Sequence, residues 1–237
     1  LDLEDENESN VPAILGDQSM LLPVVPIREG VLFPSTESVL TFGRKISRDA
    51  IEESKKTKDV VVLLTQKKAS VNRPKADDLY QIGTLAVVER RLNADGKLNA
   101  LVKGVGRVRV DRFVNFRPHI KAVVTQLEDT YDDSDREEIE ALASHLQKLF
   151  RKAVHLGKPV EFLNFMKLMS GVTDGELVDQ IASTLNLSTD EKQEVLSTTN
   201  VRDRLELVIE LLSKELKVLE IEKDVASKTQ EKFDKTM

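Results

Sequence analysis

The sequence predicts an α+β protein in which a small β-barrel or half-barrel is followed by an all-helical bundle ending in one long helix. Three patterns carry this reading. Between about residues 22 and 127 apolar and polar residues alternate at period two, as in strands with one buried face. After Asp132 the apolar residues recur at helical spacing. From Asn200 through Met237 no glycine or proline interrupts the chain, enough for a helix roughly 55 Å long at 1.5 Å per residue.

Residues 1–20 hold six acids and no lysine or arginine, so the net charge of −6 over 237 residues is carried by this stretch. It is polar and aperiodic, the composition of a disordered tail. Then comes L-P-V-V-P-I-R-E-G-V-L-F-P, residues 22–34, where three prolines interrupt an apolar run. Proline cannot donate to a ladder, which predicts a short edge strand at Val24 and Val25, bracketed by Pro23 and Pro26, with a turn at Phe33-Pro34. Residues 47–55 read as a short helix capped by Ser47, and residues 60–65, apolar and β-branched, as a central strand. Leu98, Ala100 and Val102, then Val108 and Val110, then Ile120, Ala122 and Val124 alternate with polar neighbours in further strands. Asp95-Gly96 readily takes positive φ and predicts a hairpin.

In the second half Ile139, Leu142, Ala143, Leu146, Leu149, Phe150 and Ala153 form one helical stripe, with a capping box at Ser134 and Glu137 ahead of it. A second apolar helix is expected over 159–169, with Pro159 in its first turn. Thr173 with Glu176 and Ser188 with Glu191 repeat the box. Asn200 is a good N-cap for the last helix, whose core-facing stripe includes Leu205, Val208, Ile209, Leu212, Leu216 and Leu219. Beyond Ile221 the apolar content drops, so the distal part is expected to project into solvent or toward another module. A pattern that stops in mid-helix at Met237 predicts a truncated chain. The expected division is a tail over 1–20, a β-domain over 21–128, a helical bundle over 129–199 and the long helix over 200–237.

Little here supports catalysis. With no cysteine there is no disulfide, thiolate nucleophile or Cys-based metal site. No apolar run approaches the roughly 18 residues a membrane span needs, the acidic start lacks the character of a secretory or transit peptide, and the absence of cysteine suits a reducing compartment; together these predict a cytoplasmic protein, with an organellar matrix as the lesser alternative. His119, His145 and His155 lack metal-site spacing. Gly104-Val105-Gly106 looks like a dinucleotide loop, but Arg109 stands at the third glycine position and a strand follows where a helix is required. Neither a G-x-x-x-x-G-K-[ST] loop nor a G-x-S-x-G elbow occurs. The acidic run from Asp132 to Glu140 lacks the glycine and alternating ligands of a calcium loop. Residues 90–121 carry nine Lys or Arg against two acids, but Phe113 and Phe116 are the only aromatics nearby, which fits a solvent face better than a nucleic-acid surface.

Several motifs nevertheless match one family in order and spacing. Leu22-Pro23-Val24-Val25-Pro26-Ile27-Arg28 with Phe33-Pro34 resembles the entry strand of the N-terminal domain of Lon proteases. Gly43-Arg44 with Ser47 is similar to that family's G-R-x-x-S, Asp78-Leu79-Tyr80-Gln81-Ile82-Gly83-Thr84 to its D-L-Y-x-[IV]-G-[TC], and Val102-Lys103-Gly104-Val105-Gly106-Arg107 to its V-x-G-x-x-R turn. Val39 departs, standing where many members have a second proline.

The resemblance implies a PUA-like β-domain, a helical bundle and a long helix leading to an AAA+ ATPase and a Ser-Lys peptidase, neither of which lies within this sequence. ATP and magnesium would belong to that parent, and no cofactor or metal is expected in this chain. The implied partners are unfolded or damaged proteins, the parent's own ATPase and protease modules, and neighbouring subunits of a homo-hexamer. An unfolded chain presents apolar side chains, so a receptor for it must expose some of its own. The candidate contacts are Leu32, Phe33, Phe113 and Phe116, and the candidate assembly residues on the last helix are Leu205, Leu212, Leu216 and Leu219. The alternative is a stand-alone ligand or RNA reader on the same β-fold, since one fold hosts many functions.

Overall fold

The computed structural model describes residues 19–236. The expected acidic tail lies outside them except for Ser19 and Met20, which already belong to the first strand. The chain divides between Glu128 and Asp129 into two compact units.

Among the described residues the first unit has six strands, β1 (Ser19–Ile27), β2 (Glu37–Phe42), β3 (Val60–Thr65), β4 (Ile82–Ala94), β5 (Lys97–Asn115) and β6 (Ile120–Leu127), and one α-helix, α1 (Lys45–Glu53). The sheet order is β2-β5-β4-β3-β1-β6, with β6 also pairing to the distal part of β5. The sheet therefore curls on itself without becoming a closed barrel, and β2 stays an edge with β5 as its neighbour.

β1 corrects the expectation of a short edge strand, because it runs through both prolines between two neighbours. It pairs antiparallel with β6 over residues 19–24 and parallel with β3 over residues 24–27. The carbonyl of Ile27 accepts from the Gln66 N–H at 2.8 Å on the β3 side. Backbone groups alternate along a strand, so the position of Pro26 faces the β6 edge just after that pairing has ended, and the position of Pro23 faces the β3 edge just before that pairing begins. Each missing N–H falls where no ladder bond is required.

β5 is likewise one 19-residue strand where a turn was expected at Gly104-Val105-Gly106. The register steps from Leu85 opposite Gly106 to Ala86 opposite Gly104, so Val105 is the extra residue of a bulge. The hairpin is as expected, with Asp95 and Gly96 at φ 50° and 72° between Ala94 and Lys97. α1 begins two residues before Ser47, which is buried in its first turn and is not the cap; Arg44 holds that place. The core has two clusters on opposite sides of the sheet. Val61 and Leu63 of β3 enter one with Ile51 and Phe42, and Val62 and Leu64 enter the other with Leu22 and Val108. An uninterrupted apolar strand is what burial on both faces requires.

The second unit holds α2 (Arg136–His155), α3 (Phe162–Ser170), α4 (Asp174–Thr184), α5 (Thr189–Ser197) and α6 (Val201–Thr236). Ser134 does not cap α2; it lies in a short 3-10 turn, and its hydroxyl bonds the Asp135 carboxylate at 3.1 Å. Pro159 lies ahead of α3, whose start is delayed because the preceding Lys158 is buried and tied to the Thr184 carbonyl and Glu215. The other starts stand where they were read, although at Thr173 only half of the expected box forms, the Glu176 carboxylate turning instead to Gln180 and Lys167. Thr173 Oγ1 accepts from the Glu176 N–H at 3.3 Å, Ser188 and Glu191 form a full reciprocal box, and Asn200 Oδ1 accepts from the Asp203 N–H at 3.1 Å. Arg204, fully buried on α6, donates two 2.9 Å bonds to the Asp129 carboxylate and one of 2.9 Å to the Thr198 carbonyl, with Asp179 3.3 Å from its Nε.

Candidate functional site

Two of the four expected contact residues are interior, which corrects that expectation. Leu32 is 8% exposed and Phe33 fully buried. Thr84 Oγ1 donates to the Leu32 carbonyl at 2.5 Å, and the N–H of Ser35 and of Gly104 bond the carbonyls of Gly104 and Thr36 at 2.9 Å each. A Cβ on Gly104 would stand 2.3 Å from the Phe33 carbonyl oxygen, so only glycine lets this turn seat against β5. The proline-bounded turn is a plug in the core, unreachable by a partner in this conformation. Phe113 and Phe116 meet in a tilted pair, ring centroids 5.2 Å apart and planes 36° to each other, half-buried against the second core cluster. On α6, Leu205, Leu212 and Leu216 are buried and Leu219 half-buried, and the helix packs on α2 and α4 of its own unit.

A reachable apolar patch lies on α3 of the second unit. α3 reads FLNFMKLMS and is apolar nearly all round, although a nine-residue helix on a bundle can bury only one face. Leu168 is buried, with Phe165 and Met169 half-buried beside it, and Phe165 lies 6.3 Å from the buried Phe150 ring. Phe162 and Leu163 are left 70% exposed and Met166 48%. These three, at i, i+1 and i+4, form one patch one turn long. Sequence reasoning read α3 as an apolar helix of the bundle and named none of its residues as contacts; the signal it missed is the surplus of apolar residues over what one face can hide. A second exposed stripe, Val218, Ile221 and Val225, lies on α6 beyond its buried part.

Among the described residues no three His, Asp or Glu side chains come together as a metal site. In the basic stretch Arg91 pairs with Asp59 at 2.5 Å, Lys103 with Glu37 at 3.7 Å, Arg109 with Asp111 at 3.4 Å and Lys121 with Glu53 at 2.7 Å, and Arg107 is buried. Burial pushes the His119 imidazole below its ordinary range, outweighing the nearby Glu53, and its Nε2 lacks a partner. Among the described residues no helix is long and apolar enough to cross a membrane.

Comparison with known proteins decides the family. Residues 21–214 match the model of the ATP-dependent protease La (LON) substrate-binding domain. The chain belongs to that family. It is 32% identical over 216 residues to a Lon protease of Heliobacterium modesticaldum and 34% identical over 218 residues to one of Koribacter versatilis. Each alignment covers 91% of this chain and 26% of the relative, so the chain spans about a quarter of the length of these relatives. The fold is shared with the N-terminal domain of a Mycobacterium avium complex Lon protease, at TM-score 0.64 and 18% identity over 81% of this chain and 98% of that one. It is also shared with a Lon N-terminal domain protein from Xanthomonas campestris, at TM-score 0.56 and 20% identity. The Lon-type kinship implied by the strand and loop motifs is thus established.

Proposed function

We propose that this Lon substrate-binding domain grips exposed apolar segments of unfolded or damaged protein through the α3 patch of Phe162, Leu163 and Met166, and leaves bond cleavage to other parts of a longer protein in a bacterial cytoplasm. The observation that carries this reading is that these three side chains are far more exposed than folding alone would leave them. Methionine and phenylalanine suit a receptor for varied sequences, because both adapt to many apolar surfaces. Phe113 and Phe116 offer a secondary contact through their uncovered faces. Assembly with neighbouring subunits falls to Val218, Ile221 and Val225, since Leu205, Leu212 and Leu216 are taken up by the bundle itself. The RNA-reading alternative loses support because so many cations of the basic stretch already have carboxylate partners.

The test is a titration of the 237-residue chain with a labelled globular protein, either native or reduced and carbamidomethylated. The unfolded form should bind at least about tenfold tighter, and F162S/L163S/M166S should remove that preference while leaving the circular dichroism spectrum unchanged. Equal binding to both forms, or an unaffected triple variant, would refute the reading. Neither ATP turnover nor peptide-bond cleavage is expected from this chain alone.

A further inference from the structure

A groove of about 480 Å³ opens in the first unit where the ends of β1 and β2 meet the start of α1. Its apolar wall is Ile27, Leu40 and Phe42, which pack on the first core cluster. Its polar wall is Arg28 and Arg44, both half-buried. Both arginines belong to motifs shared with the Lon family, L-P-V-V-P-I-R and G-R-x-x-S, and the α3 reading of function uses neither.

What surrounds these guanidiniums differs from the carboxylate partners of several other cations in the unit. Arg44 donates to the Gln66 side-chain oxygen at 2.6 Å and the Pro26 carbonyl at 2.8 Å, and reaches the Val71 and Asn72 carbonyls at 3.5 Å. Arg28 donates to the Ala69 carbonyl and to Asn72 Oδ1 at 2.6 Å. Every one of these acceptors is neutral, and both arginines touch Asn72. Elsewhere in the unit Arg91, Arg109 and Lys121 each meet a carboxylate. Glu29 sits exposed on the same rim, yet no ion pair joins it to either arginine. Burial, then the charge of Arg28, lowers the pKa of Arg44, as expected of two like charges drawn partly out of water. Two guanidiniums held in place by neutral carbonyls form a preorganised fork for an anion.

We infer that the Arg28–Arg44 groove is a carboxylate subsite of the polypeptide-binding surface, taking an apolar residue that bears or adjoins a carboxylate: a chain's C-terminal residue, or an aliphatic side chain next to Asp or Glu. The apolar wall selects against a bare inorganic anion, and the guanidinium pair selects against a purely apolar segment. α1, whose N-terminus carries no side-chain cap, opens onto the groove through Gly43, Arg44 and Ser47. The inference rests on the reading of this domain as a polypeptide receptor, but it concerns a different surface from α3.

Fluorescence anisotropy with three labelled octapeptides tests it: an acid-free peptide ending in leucine with a free carboxylate, the same peptide amidated, and an amidated peptide with an internal Asp-Leu. The free acid should bind about tenfold tighter than its amide, as loss of a charge-assisted pair implies. Tight binding of the third peptide would mark side-chain carboxylates as a second source. R28Q should abolish the advantage of whichever carboxylate binds, and E29Q should strengthen binding two- to threefold. R28Q carries the test because it is the milder change: Arg28 holds the 66–72 loop at Ala69 and Asn72, whereas Arg44 holds it at Gln66, Val71 and Asn72 and also ties down Pro26, and an unchanged urea midpoint for R28Q is its control. Indifference to both kinds of carboxylate, an unaffected R28Q, or displacement by inorganic phosphate where acetate has no effect would overturn the assignment. If unfolded protein binds through α3 while R28Q changes nothing, this inference alone falls; if R28Q-sensitive peptide binding persists without any preference for unfolded protein, the α3 reading alone falls.

Discussion

α3 and α5 are both nine residues long and lie in the same unit, but the chain treats them in opposite ways. α5 opens with a complete Ser188–Glu191 capping box and buries Gln193, Val195 and Leu196 on one face. α3 has no side-chain cap, buries Leu168 alone and sends Phe162, Leu163 and Met166 outward. Capping and one-sided burial are what a helix needs to persist on a bundle. A helix that carries more apolar surface than it can bury is spending composition on something other than folding. The contrast therefore separates residues that hold the domain together from residues available to a partner.

The strongest way to break this contrast is to attack the frame that α4 and α6 share with α5. Arg204→Leu would take a guanidinium away from the buried Asp179 and from the Asp129 carboxylate, and should lower unfolding free energy in urea by about 3–5 kcal/mol. A loss below 1 kcal/mol would mean that the cluster contributes little. Next come matched truncations: Leu196→Ala in α5 should cost about 2–5 kcal/mol, whereas Leu163→Ala in α3 should stay within about 0.5 kcal/mol and weaken binding of unfolded protein instead. Similar stability losses at the two sites would erase the distinction. Ser188→Ala should cost about 1 kcal/mol through loss of its cap, a change α3 cannot suffer at its uncapped Glu161.

The smallest expected effect is a pH dependence in the β-unit that neither helix shares. His119 has a folded pKa below its unfolded value, so the unfolded chain binds the proton more readily. Stability should be intact above about pH 6.5, decline as pH falls through that value and level off below the folded pKa. His119→Gln should flatten this part of the urea midpoint profile, and an unchanged slope would assign it to other groups.

α5 was legible from its letters because its start signal is local: a hydroxyl and a carboxylate three residues apart close the box on their own backbone. The same reasoning failed at Ser134, where identical spacing sits inside a 3-10 turn and the hydroxyl turns to Asp135. At β1 the prolines suggested an edge, because a proline's cost depends on which neighbour reaches which side at that residue, and that is settled by β3 and β6 far along the chain. Phe33 and Phe162 show the limit most directly. Both are phenylalanines in short apolar runs, but one is locked beneath a turn hydrogen-bonded to Gly104 and the other stands in solvent.

Composition and periodicity by themselves determined the change from strands to helices, the Asp95-Gly96 hairpin and three of the helix starts, and the order of four short motifs carried the resemblance to Lon proteases, because each depends on residues close together in the chain. Tertiary structure alone decided which apolar side chains remain outside, which cations find carboxylates and which two arginines share a groove. Those outcomes depend on how many faces the surrounding elements cover, and coverage is a property of the packed whole that no window of sequence contains.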